Sequence, residues 1–112
     1  MAVRALCDNP QQLLIEVKAA IREGTVQTWL LDKDGDLTHS PVQWKNKAWF
    51  RPSTEAGVLV FKILGRQSVA MTTEVYAVYH GRLIEMLLAH FDKKFASAFA
   101  TAQPVVGEFV GP

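Results

Sequence analysis

One cysteine is all that this 112-residue chain contains. A single thiol closes no internal disulfide, which excludes the bridged scaffold by which small secreted domains make up for a small core. Cys7 also falls in an N-terminal segment expected to be mobile, so a reducing, cytoplasmic location fits best. Long apolar stretches are missing too. Runs such as Val58 to Phe61 fall far short of the roughly 20 residues that cross a bilayer as a helix, so no membrane partner is expected. Near the start, Asp8, Asn9 and Pro10 interrupt the segment after Arg4 and leave no room for the apolar core of a secretion signal.

An excess of one charge is the third absence. Twelve Lys and Arg face eleven Asp and Glu, a formal net charge of +1. No global field therefore gathers the chain onto nucleic acid or a charged surface, and such a partner would need a local patch. Apolar residues make up 49% and charged ones 21%, too apolar for a disordered chain. The length suits one domain, taken as residues 1–103, with the Pro- and Gly-rich stretch 104–112 as a flexible tail.

Local signals then divide the chain. Asn9, Pro10 and Gln12 form a helix start, Leu14, Val17 and Ile21 recur at helical spacing, and Gly24 is a stop, giving a first helix over Pro10 to Glu23. Val26 to Leu31 is β-prone and ends at the turn-forming Asp32-Lys33-Asp34-Gly35-Asp36. Val42 to Arg51 alternates, with Trp44, Ala48 and Phe50 on one side and Lys45, Lys47, Trp49 and Arg51 on the other. Ser53 to Gly57 is expected to be a turn and Val58 to Leu64 a third strand. Short connections favour an antiparallel meander. From Thr73 to Phe91 the residues Tyr76, Tyr79, Leu83, Met86, Leu87, His90 and Phe91 share one stripe at about 100° per residue, a long amphipathic helix. It tolerates Gly81 at a cost of about 1 kcal/mol against alanine. Residues 93–101 suit helix or strand, with strand favoured. The expected fold is α+β: an N-terminal helix, a three-stranded antiparallel meander with a fourth C-terminal strand as the variant, and a long second helix packed on one sheet face.

Chemical signatures are few. The acidic run opens like a calcium loop, but Leu37 stands where that loop needs glycine and Gln43 where it needs glutamate, so a hairpin connection is expected. His80 and His90, ten residues apart on one helix, lie about 15 Å apart along its axis and cannot share an ion. No metal and no cofactor is expected. No G-x-S-x-G elbow or phosphate-cradling glycine pattern appears, so no catalytic residue is assigned and the reading leans away from an enzyme.

Two constellations remain. Tyr76, Tyr79 and His80 put polar atoms on the buried side of the second helix, with Trp29 and Trp44 opposite, the makings of a ligand pocket and of acid–base work by His80. Lys45, Lys47, Trp49 and Arg51, beside Val58 and Val60, make a basic, aromatic and apolar sheet face. Such a face suits a protein partner, a second copy above all, and less well single-stranded nucleic acid. The leading expectation is a small protein-interaction module, homodimeric in its favoured form, with the ligand pocket and nucleic-acid binding as alternatives.

Overall fold

The computed structural model describes residues 2–111. Along the chain lie β1 (Ala2–Leu6), α1 (Pro10–Glu23), β2 (Trp29–Leu31), β3 (Leu37–His39), β4 (Ala48–Glu55), β5 (Val58–Gly65), α2 (Thr73–Phe91) and β6 (Ser97–Ala100). Both helices begin as their caps dictate. The Asn9 side chain accepts from the Gln12 N–H and the Thr72 hydroxyl accepts from the Val75 N–H, each bond worth about 1 kcal/mol to its helix. Gly24 closes α1 in the left-handed conformation, with φ at 82°.

The strands form one antiparallel sheet in the order β2-β3-β4-β5-β1-β6. The class agrees with expectation, but six strands replace the three or four anticipated. β1 enters between β5 and β6, with Arg4 opposite Val60 on one side and Phe99 on the other. It went unrecognised because alanine is a weak strand former and its pairing partners lie more than fifty residues away. The strand expected over Val42 to Arg51 begins only at Ala48. Residues 41–47 turn instead, with the Trp44 and Lys45 N–H groups both donating to the Pro41 carbonyl and Asn46 at φ 61°. β3 takes the partner position in the hairpin with β2, pairing His39 with Trp29.

Ser53 to Glu55, expected to turn, continue β4, and the reversal is confined to Ala56 and Gly57, with Gly57 at φ 74°. A two-residue hairpin loop needs such a left-handed residue, which glycine supplies without strain. Pro52 sits within β4 beyond Phe50, the last residue paired to β3. That edge setting is where a strand tolerates proline.

Val3, Ala5, Phe50, Leu59, Phe61 and Ile63 point to the side covered by Leu13 and Val17 of α1 and Leu83 and Leu87 of α2, forming one core. α1 packs over β2, β4 and β5, and α2 crosses the sheet, meeting β1 and β6 and setting Tyr79 and His80 on Phe50 of β4. No helix among the described residues is long and apolar enough to cross a membrane.

Candidate functional site

The polar residues of the α2 stripe enter a packed aromatic cluster. Tyr79 is fully buried, its ring edge-on to Trp29 at 5.8 Å and tilted against Phe50 at 6.2 Å. Its hydroxyl donates to the Trp44 carbonyl and lies 3.1 Å from the Thr38 hydroxyl. Thr38 donates to the Ala48 carbonyl and accepts from the Asn46 N–H. Tyr79 thus ties the 41–47 turn to the core. His80 stacks on Tyr76 at 4.3 Å, meets Phe50 edge-on at 5.1 Å, and holds Nδ1 2.6 Å from the Tyr76 carbonyl.

His39 fills the same cluster from β3, with its ring 4.8 Å from Trp29 and Nδ1 2.8 Å from the Thr28 carbonyl. Burial pushes its pKa below the ordinary histidine value, with a smaller push the same way from Arg82. The Thr28 carbonyl and Glu85 pull the other way.

Of the five expected pocket residues, Tyr79, His80 and Trp29 are in this cluster, while Trp44 supplies its carbonyl from the turn and carries Lys47 Nζ 5.8 Å above its ring. Tyr76 borders a cleft of about 280 Å³ at the start of α2, together with Thr72, Thr73, Ala102, Gln103 and Val110. The other four residues do not line it. The buried Tyr76 hydroxyl makes no hydrogen bond among the described residues. Cys7, which follows β1 rather than lying in a loose leader, is buried, and desolvation pushes its thiol pKa up. A thiol so placed is a poor nucleophile.

The six expected interface residues separate. Trp49, Arg51, Val58 and Val60 share the sheet face away from the helices, whereas Lys45 and Lys47 belong to the turn before β4. Val60 is 0% exposed, with Arg4 and Ser53 as its strand partners. Arg4 lies opposite it and pairs with Glu55 at 3.0 Å. Arg51 forks onto Asp36 at 3.1 and 2.8 Å, which raises the Arg51 pKa further. Lys62 lies against Gly107, where a Cβ would come within 3.1 Å of its ammonium.

The Asp32, Asp34 and Asp36 carboxylates lie within 4.8 Å of one another. Asp32 accepts from the Asp34 and Asp36 N–H groups, and Asp36 holds Arg51, so the cluster organises its hairpin.

Residues 104–111 return to the sheet. Phe109 pairs beside Leu64 where β1 has ended, accepting from the Gly65 N–H at 2.6 Å and donating to Ile63 at 3.1 Å. The Glu108 carboxylate accepts from Ile63 and Val105. Its pKa is pushed up by desolvation and pulled down by those two N–H groups.

Sequence reasoning passed over the opposite margin. Leu6 and Phe99 remain 39% and 45% exposed there, on the open face beside Arg4, and β6 ends the sheet. Comparison with known proteins gives no matching family model, no matching curated protein and no matching solved structure.

Proposed function

We propose that this chain is a protein-interaction module that works by associating with a second copy of itself, without catalysis of its own. The observation that carries the reading is the uncovered sheet margin at β1 and β6, where Leu6 and Phe99 are exposed beside a terminal strand, Ser97 to Ala100, that has no charged residue. The strand is only four residues long, which limits its own pairing, so the exposed Leu6 and Phe99 side chains supply the apolar contact. The neutral charge balance favours self-contact as well. Arg4 and Arg51 are already paired within the chain, and a net charge of +1 sets up little repulsion between copies. Sedimentation velocity over a wide concentration range tests the proposal: a mass that rises towards twice that of the chain supports it, and a monomer throughout removes it.

A second reading rests on the cleft at the start of α2. Tyr76 borders it, and its buried hydroxyl, which makes no bond among the described residues, would be reached by a ligand's hydrogen-bonding atom only if the ring turned towards the cleft. A ligand screen by thermal shift tests it. A compound that stabilises the native chain and loses most of its effect on Tyr76→Phe supports the pocket, and the absence of any such compound counts against it.

A further inference from the structure

The cleft at the start of α2 has two walls of different kinds. Thr72, Thr73 and Tyr76 belong to one, and Gln103, Pro104 and Val110 to the other. The first wall is anchored, because Thr72 caps α2 and Tyr76 is buried in the core. The second is carried by the chain that follows β6. We propose that residues 102–111 are a strap that opens as one unit while the rest of the fold stays closed, and that the cleft exists only while the strap is shut. The opening stands on its own observations, whereas its role as a gate rests on the reading of the cleft as a ligand site.

Thr101 marks the fixed end of the strap. Its N–H donates to the Ala2 carbonyl and its hydroxyl accepts from the Ala2 N–H at 2.8 Å. Beyond it Ala102, Gln103 and Pro104 are exposed, and Val106 is 91% exposed, so apolar burial does little to hold this stretch. The attachment comes later, at Glu108, Phe109 and Val110. The Glu108 carboxylate accepts from the Ile63 N–H at 2.7 Å, Phe109 bonds to both Ile63 and Gly65, and the Val110 carbonyl accepts from the Met71 N–H at 2.7 Å. Three consecutive residues thus reach the end of β5 and the connection to α2.

This concentration of bonds makes the strap a unit. The Glu108 carboxylate also accepts from the Val105 N–H at 2.9 Å, and the Glu108 N–H donates to the Val105 carbonyl at 3.1 Å. One side chain therefore closes the 105–108 turn and ties that turn to β5. When it lets go, the turn swings outwards, and Phe109, next along the chain, loses its position beside Gly65. The shut position is a close fit of backbone on backbone. A Cβ at Gly65 would come within 3.3 Å of the Phe109 carbonyl oxygen, and one at Gly111, where φ is 107°, within 2.5 Å of the Val69 carbonyl oxygen. A segment held by hydrogen bonds with little apolar burial belongs to the part of a structure that opens below global unfolding.

The sheet does not depend on the strap. β5 pairs with β4 from Val58 to Gly65 and with β1 from Val58 to Lys62. The strap takes over on the β1 side only at Ile63, so its departure leaves both ladders intact. A ligand seated in the cleft touches both walls and favours the shut state by that differential contact, and opening of the strap releases it.

Hydrogen exchange of the full chain, read amide by amide, tests the opening. The Ile63, Gly65 and Met71 amides are expected to share one protection factor, at least about tenfold below those of Leu59 and Phe61, which pair with Ala5 and Val3 of β1 in the same strand. Glu108→Ala is expected to lower the protection of Gly65 and Met71, which Glu108 does not touch, as much as that of Ile63. Leu64 and Phe109 are partners across the pairing, at a spacing that closes a disulfide. In a Cys7→Ala background, Leu64→Cys with Phe109→Cys should therefore slow exchange of the three amides at least about tenfold when oxidised, with Leu59 and Phe61 unchanged. Native protection of the three equal to that of Leu59 and Phe61 overturns the proposal, since the strap would then open only with the whole fold. A loss confined to Ile63 in Glu108→Ala overturns it too, because the segment would fray residue by residue. A strap that opens as stated in a chain that binds no compound removes the cleft reading alone, and a compound bound to a chain whose strap does not open removes the strap alone.

Discussion

Tyr76 and Tyr79 lie one turn apart on the same helix, yet their hydroxyls have opposite standing. That of Tyr79 donates to the Trp44 carbonyl beside Thr38, and that of Tyr76 is buried without a bond among the described residues. Removing a bonded hydroxyl strands its acceptor, the Trp44 carbonyl, so Tyr79→Phe is expected to lower the unfolding free energy by about 1 to 3 kcal/mol. Tyr76→Phe removes an unpaired group and should leave stability unchanged or raise it by up to about 1 kcal/mol. Urea midpoints of the two variants check both, and equal losses would refute the contrast. His39 gives a pH signature. Its folded pKa lies below the unfolded value of about 6.5, so below that pH the unfolded chain binds more protons. The stabilisation is full above about pH 6.5 and is lost as pH falls. His39→Gln should flatten the fall in stability between about pH 7 and 5, and an unaltered slope would show that the shift is absent. The helical period placed Tyr76, Tyr79 and His80 on the buried side from sequence alone. Which of them bonds to what was not legible, because Trp44 and Thr38 arrive from segments more than thirty residues away.

Elements were legible in proportion to how local their signals are. The bounds of α1 and α2 follow from caps and periodicity, and β5 from its alternation. β1 and β3 escaped because each is short and formed by pairing: Ala2 to Leu6 is ordered by β5 and β6 on either side, and Leu37 to His39 by the hairpin across the acidic turn. The tendency of Val42 to Lys47 to alternate was overridden by Pro41 and by the left-handed Asn46. Gly81 was read as a tolerated cost within α2. Since a methyl there meets nothing, Gly81→Ala should raise stability by up to about 1 kcal/mol, and a loss would mean that the glycine is needed there. The terminal stretch, expected to be flexible, makes bonds that exchange can measure. The Ile63, Gly65 and Met71 amides donate to Glu108, Phe109 and Val110. They should be protected from hydrogen exchange in the whole chain and become fast when it is truncated before Pro104. Equal exchange rates in both would mean that those bonds contribute nothing.

For the molecule as a whole, the helices occupy one face of the sheet and leave the other face open, with β2 and β6 as its terminal strands. The sequence pointed to Trp49, Arg51, Val58 and Val60 on that face, but the strength of its exposed apolar surface lies further along. Val60 is fully buried, whereas Leu6, Phe99 and Leu88 are exposed. The β6 margin was illegible because it exists only once β1 has entered the sheet and brought β6 to its edge. The central claim, self-association, is tested most directly by sedimentation velocity of the native chain. The account requires a species of about 25 kDa, twice the 12.5 kDa chain, that gives way to monomer on dilution. A single 12.5 kDa species at every concentration would contradict it.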